Sequence, residues 1–502
     1  MSGLPFGFGA LMFIGLYLAA MIGMGYIARQ RRRGETLGEF YLAGNGLGGM
    51  VLLLTLYATQ YSGNTLLGYP GEAFRLGFYW IMSVGFMMSI VVVYLLFAPD
   101  LFHISRRYRF VTPGDWIDHR FGSRALTLTA SLLFAVTISN YLLAQLMAMG
   151  HVVSGLSGDA IPFWSGVVVL GLIIIVYETA GGMQAVAWTD CIQSIILIVG
   201  LTGILAAFVT GPESMTRISE WIIANQPSKA AVPEGGAIRT WISTIILIGF
   251  GAAVYPQAIQ RIFAARSSGA LRRSLSLMAF MPLITMLAVF LVGIMGIQQL
   301  SHLDGLTPDQ VMPVLLREWA QQSTWMYVMT LLVVTGVLAA VMSTADSVLL
   351  SLSSILAKDI LGKTWLKEAP EAVLTRIGKR LSWAIMGVLM FTALTPRLSL
   401  WGLIELKMEI LVQTAPLFVL GILCPRLNAR GALTGLLAGT VVASILTLAG
   451  YGKLWGWHAG VIGLALNVIL CFVFSPQAAS PAVARSVVLG QKIQTKASYR
   501  VK

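Results

Sequence analysis

Apolar runs dominate this chain and constrain it more than any other feature. Thirteen of them, at roughly 8–28, 47–71, 76–99, 125–155, 162–178, 183–209, 240–263, 274–299, 324–357, 378–395, 399–423, 431–450 and 457–475, are separated by short polar loops. A helix rising 1.5 Å per residue crosses about 30 Å of hydrocarbon in about 20 residues. Runs of this length and number leave only 11% of the 502 residues charged, too few to solvate a globular surface. The expected architecture is an all-α polytopic membrane protein of about 13 transmembrane helices, with its transmembrane domain at 1–475 and a short cytoplasmic tail at 476–502. The lipid bilayer is thus its first partner.

The net charge of +13 does not point to nucleic acid, because the basic residues alternate from loop to loop. With Met1 outside, the loops holding Arg29–Arg33, Arg106–Arg124, Arg261–Arg273, Lys358–Arg380, Arg426–Arg430 and the tail from Arg485 all fall inside. Together they carry 26 of the 34 Lys and Arg. That is the positive-inside pattern, and it predicts an integral plasma-membrane protein with the N-terminus out and the C-terminus in. The charges RQRRR follow the first apolar run, so that run does not read as a cleavable signal. The three cysteines and five histidines show no paired or metal-ligand spacing. There is no Walker loop and no nucleophile elbow, so neither ATP-driven transport nor membrane enzymology is expected.

Against this apolar background, AAVMSTADSVLLSLSS (339–354) stands out. On a helix, Ala340, Ser343, Thr344, Ser347, Ser351 and Ser354 fall in one narrow stripe, with Asp346 beside it. A single serine in a membrane helix usually serves helix packing. A stripe of hydroxyls with an intramembrane carboxylate marks an ion or solute path instead. Hard cations such as Na⁺ are held by oxygen, and hydroxyls without a carboxylate cage suit Na⁺ better than Ca²⁺ or Mg²⁺.

Hydroxyls need freed carbonyls to complete such a shell, and two runs hold the interruptions that would free them. The second contains YATQYSGNTLLGYPG (57–71) and the seventh contains GFGAAVYPQAIQR (249–261). They lie five runs apart, a spacing that suits a duplicated, inverted five-helix unit, and interrupted helices in matching places point to a transporter site near the midplane. Gln60, Ser62, Asn64 and Thr65 are the polar residues at the first break, and Tyr255 stands at the second. Gln60 either faces a solute or caps freed backbone groups; Tyr255 either lines the site or packs. The eleventh run contains IELKMEILVQTAP (404–416), where Glu405 and Glu409 share a face and Lys407 points about 160° away. These charges either snorkel to the membrane surface or, for Lys407, meet a solute carboxylate or a cavity acid. Gln413 lies one turn below Glu409 and is a further candidate lining residue.

At these residues the chain resembles the sodium/solute symporter family, whose members carry proline, pantothenate, sialic acid, monocarboxylates and sugars. LAAVMSTADSVLLSLSSILAKDI (338–360) is similar to the family's sodium-site helix, and ATQYSGNTLLGYPG, TAGGMQAVAWTDCIQS (179–194) and YPQAIQRIFAARS (255–267) resemble further family stretches. The resemblance implies the leucine-transporter fold: two inverted five-helix repeats, about 47–209 and 240–423, with one helix before and two after. It also implies a sodium site built from backbone carbonyls of Ala58, Tyr61 and Ala340 and the hydroxyls of Ser343 and Thr344. Asp190, in AWTD, matches a family aspartate near the inner sodium path, and a second sodium site in some members would use Asp190, Ser343 and Ser347. Asp346 departs from that two-sodium subset, where a hydroxyl can stand. The proline carriers' acidic residue and tryptophan are Gln60 and Ile248 here, which disfavours proline.

The expected function is sodium-coupled symport of a small polar solute, an organic acid, amino acid or vitamin-like carboxylate, by alternating access. Proton coupling through Asp190 or Asp346, and a transporter-like solute sensor, are the competing expectations.

Overall fold

A membrane helix satisfies its own backbone, so the apolar runs become helices wherever the chain lies in hydrocarbon. The computed structural model describes residues 7–32, 34–158, 160–210, 215–303, 305–395 and 399–475. Arg33, Arg397 and the basic residues of the tail lie outside the described residues. The first run forms α1 (Gly7–Arg31). The second begins as α2 (Gly49–Gln60), breaks at Tyr61–Ser62, and resumes through a π turn at Asn64–Gly68 into α3 (Tyr69–Leu76). Then follow α4 (Met82–Tyr108), the short α5 (Pro113–Phe121), α6 (Arg124–Ser157) and α7 (Phe163–Thr210).

The seventh run is again broken, into α8 (Gly236–Ala253) and α9 (Pro256–Ala264), and the eighth is α10 (Ser268–Met278) with α11 (Met281–Gln299). The polar stripe lies on α12 (Thr324–Ser354), which continues through a π segment, Ile355–Leu361. The rest is α13 (Glu371–Ala393), α14 (Leu400–Leu411) with α15 (Ala415–Leu423), α16 (Ala429–Leu448), a hairpin of β1 (Lys453–Leu454) and β2 (Trp457–His458), and α17 (Ala459–Val473).

Among the described residues, nine helical segments are long and apolar enough to cross a membrane. Two of them, Thr65–Tyr108 and Phe163–Ala206, have 44 residues each and hold more than one apolar run. The weak separation between the fifth and sixth runs has a physical cause: α7 continues through both and turns at Gly182, which sits at φ +60°, ψ −151°. A side chain is strained at that backbone geometry, and the Phe40 carbonyl crowds the position where its Cβ would lie. The tenth run lies on α13, whose Arg376, Lys379 and Arg380 keep it outside the nine.

The two broken helices meet through their backbones. Leu47, just before α2, donates its N–H to Ala264 O at 3.1 Å and accepts from Arg266 N at 2.8 Å, a parallel bridge to the end of α9. α12 packs heavily on α7 and also on α6, α2 and α9, so the hydroxyl stripe is enclosed by both broken units. Every described residue of α12 from Val333 to Ser354 is buried.

Candidate functional site

The first break frees two carbonyls. In an unbroken helix Ala58 O would accept from Ser62 N, and Tyr61 O from Thr65 N. Here Ser62 N donates instead to Thr65 Oγ1 at 3.3 Å, and Thr65 N donates to Ser62 O at 2.9 Å. The orphan N–H of Gly63, at the start of the second half, is taken by Gln145 Oε1 at 3.0 Å. Gly63 must be small because a Cβ there would meet Val341 of α12 and stand 3.0 Å from the Ala148 Cβ. α12 and the break are therefore in direct contact.

Hydroxyls of α12 close on the freed carbonyls. Ser343 Oγ lies 3.4 Å from Ala58 O and 3.0 Å from Ala340 O, and Thr344 Oγ1 lies 3.4 Å from Ala58 O. Ala58, Ala340, Ser343 and Thr344 thus lie together, with Tyr61 at the adjoining break. Buried oxygens gathered without a carboxylate form a cradle that could hold one hard monovalent cation.

Asp190 and Ser347 do not join this cradle, and the expected second set of sodium ligands needs correction. The guanidinium of Arg261 lies between them. Its Nη2 donates to Asp190 Oδ2 at 2.9 Å and to Ser347 Oγ at 2.5 Å, and its Nε donates to Thr55 O at 3.1 Å and Thr55 Oγ1 at 2.8 Å. Thr55 Oγ1 also donates to Asp190. With Arg261 and Asp190 both fully buried, the cation facing these oxygens belongs to the protein. Counting Arg261 among loop residues is corrected too, since it sits inside α9. Asp346 is spoken for as well: Tyr177 OH donates to its Oδ2 at 2.7 Å.

On the other side of the break is a small cavity of about 20 Å³. Of the predicted solute residues it gathers Gln60, Ser62, Thr65, Tyr255 and Lys407. The Asn64 side chain lies outside the described residues. Gln413 points elsewhere: its Nε2 donates to Gly460 O at 2.8 Å, and its carbonyl groups accept from Asn467. Its amide ties α14–α15 to α17, which corrects its placement in the cavity. One helical turn of spacing from Glu409 could not tell which neighbour Gln413 would face.

Lys407 is 3% exposed, so it does not snorkel. Its Nζ lies 3.0 Å from the ring centroid of Tyr141 and 4.9 Å from that of Tyr255, two rings stacked 5.2 Å apart. The neighbouring acids are engaged elsewhere: Glu405 with Lys453 at 2.7 Å, Glu409 with His458 Nδ1 at 2.9 Å and with Gly460 N. Among the described residues, no carboxylate lies within ion-pair distance of Lys407, and none lines the cavity. A cation–π contact contributes about 0.5–2 kcal/mol, whereas burying an unpaired ammonium costs several.

Sequence reasoning missed Tyr141, Arg261, Gln145 and Tyr94. Tyr94 OH accepts from Gln60 Nε2 at 2.6 Å, which orients that amide. Tyr141 lines the cavity beside Ser62 and Thr65, and its ring stacks on that of Tyr255. An aromatic residue in an apolar run carries no signal of such a role.

Comparison with known proteins bears on the family and the fold. The sodium/pantothenate symporter of Escherichia coli (strain K12) is 28% identical over 473 residues, covering 91% of this chain and 94% of its own length. The high-affinity proline transporter PutP of Bacillus subtilis is 25% identical, covering 92% and 97%. The substrate-bound, outward-open structure of a Na⁺-coupled sialic acid symporter superposes with a TM-score of 0.77 at 20% identity, over 94% of this chain and 99% of that one. That likeness shows the fold, and it is the leucine-transporter fold expected from the sequence. The family model for sodium:solute symporters matches residues 40–439, from the segment before the first broken helix to α16. On that match the chain belongs to the sodium:solute symporter family.

Proposed function

We propose that this protein couples the inward movement of Na⁺ to the import of a small, singly anionic carboxylate, with Ala58, Tyr61, Ala340, Ser343 and Thr344 holding the ion. Gln60, Ser62, Thr65, Tyr255 and Lys407 face the solute, with Asn64 assigned there from its place at the break. The observation that carries the substrate reading is Lys407, a buried lysine on a cavity wall that, among the described residues, contains no acid. A carboxylate would pair with it, while the ammonium of a zwitterionic amino acid would find only a like charge. Of the solutes named for the relatives above, pantothenate fits this rule better than proline.

Coupling follows from shared parts. The break at Tyr61–Ser62 gives carbonyls to the cradle and polar side chains to the cavity. An ion that fixes the break therefore also fixes the solute-binding groups, so each ligand raises the other's affinity. The alternation of basic loops supports an orientation with the N-terminus outside and the C-terminus inside.

Uptake by purified protein in liposomes tests this reading. A panel of pantothenate, short monocarboxylates and proline is offered under an inward Na⁺ gradient, an inward H⁺ gradient or neither. Accumulation of an anionic carboxylate under the Na⁺ gradient alone is expected. Accumulation driven by H⁺ alone, or of proline in preference to every anion, would contradict it.

A further inference from the structure

The basic end of the bundle carries a second pocket, separate from the cradle and the carboxylate cavity. It lies between the last turns of α1, the segment after it, α7 at Thr179–Ala180 and the first half of α13, and is an open pocket of about 350 Å³. Arg29, Arg32, Lys379 and Arg380 line it against one carboxylate, Glu35. Glu35 Oε1 is already shared, accepting from Arg32 Nη2 at 3.0 Å and from Lys379 Nζ at 3.4 Å. Lys379 foremost holds that carboxyl below its usual range. Four cations against one anion leave the lining with a formal excess of three positive charges.

Two of the cations are held in place before any ligand arrives. Arg32 and Lys379 lie over the Phe40 ring, at 5.5 and 4.8 Å from its centroid. The Arg32 side chain is only 9% exposed, and its Nη1 is buried with no hydrogen-bond partner. That is an unmet donor in an electropositive setting, which is where an anionic oxygen gains most.

The walls say which kind of anion fits. Trp383 lines the pocket and is 48% exposed, and Val388 and Phe391 continue the exposed apolar surface of α13. On α1, Leu16, Ile22, Tyr26 and Ile27 are likewise exposed. Both helices pack on α7, so the pocket opens between two outward apolar faces at the end of the bundle where basic residues gather. Basic pockets between membrane helices on the positive side suit phospholipid headgroups, and aromatic residues such as Trp383 favour that depth. A soluble anion would leave the apolar walls unused.

We propose that this pocket binds the phosphate headgroup of an anionic phospholipid, whose acyl chains lie along the outward faces of α1 and α13. The proposal stands apart from the transport reading, since none of its residues touches the cradle or the cavity.

The full-length protein in detergent is given phosphatidylglycerol, phosphatidylcholine or inorganic phosphate, and is followed by thermal unfolding and by native mass spectrometry. Phosphatidylglycerol is expected to raise Tm by about 3 °C or more and to stay bound, while phosphatidylcholine and phosphate do neither. Arg29→Gln/Arg380→Gln should lower lipid retention about tenfold or more, and Arg272→Gln/Arg273→Gln, with both cations exposed on α10 outside the pocket, should leave it unchanged. Equal effects of the two lipids overturn the proposal, as does full retention by the pocket variant. Stabilisation by inorganic phosphate alone would assign the pocket to a soluble anion and sink the lipid assignment. If the pocket variant does not fold, the wild-type comparison of the two lipids decides.

Discussion

At the scale of single residues, the proposed ion and solute roles fall on different side chains and can be tested one at a time. Ser343 and Thr344 each bring one oxygen to a small cradle at Ala58 O. Ser343→Ala and Thr344→Ala should each raise the Na⁺ concentration for half-maximal uptake about tenfold or more, roughly the 1.4 kcal/mol of one lost ligand to a charge, while the protein still inserts. Uptake against Na⁺ concentration checks this, and an unchanged half-saturation in both variants would remove them from the site. Lys407 behaves oppositely. Lys407→Gln should raise the carboxylate KM about tenfold or more and leave the Na⁺ dependence in place, because it removes the solute's partner and nothing from the cradle. Uptake kinetics at saturating Na⁺ read this directly, and an unaltered KM would leave Lys407 as a packing residue.

At the scale of elements, Arg261 and Asp190 join α9 to α7, with Thr55 of α2 and Ser347 of α12 completing the network. Breaking a buried pair from one side leaves the other charge uncompensated, at about 3–5 kcal/mol. Asp190→Asn should therefore lower Tm and folded yield as well as transport, and Arg261→Gln added to it should recover part of the stability. Fluorescence-detected unfolding of the single and double variants checks this; a single variant as stable as wild type would make the pair dispensable. The break itself depends on Gly63, where a Cβ would push against Val341 and Ala148. Gly63→Ala should cost about 1–3 kcal/mol of stability and slow transport, because the contact between α2 and α12 cannot close. The cradle was legible in the sequence because both halves leave a pattern: hydroxyls at helical spacing, and a Ser-Gly interruption inside an apolar run. Lys407 was legible because a charge in an apolar run has few explanations. Arg261 was not, because a basic residue near the end of a run reads like any loop cation until its partner Asp190, 71 residues away, is brought beside it. Gln413 was misplaced for the complementary reason, since helical spacing gives a face without naming the neighbour.

At the scale of the whole molecule, the alternating loop charges predict an orientation and the shared break predicts coupling. With Cys191, Cys424 and Cys471 replaced by Ser, Tyr451→Cys on the last outer loop should react with an impermeant thiol reagent in intact cells. Lys367→Cys should react only after permeabilisation, and the reverse pattern would invert the topology. The central claim is that one broken helix serves the ion with its carbonyls and the solute with its side chains. It is tested most directly by calorimetric titration of the purified protein with the carboxylate that the uptake panel selects, in Na⁺ and in K⁺ at equal ionic strength. The account predicts at least tenfold tighter carboxylate binding in Na⁺, about 1.4 kcal/mol of coupling, with the same factor on Na⁺ affinity when the carboxylate is present. It also predicts that Thr344→Ala removes most of that difference. Equal carboxylate affinity in Na⁺ and K⁺ would contradict it.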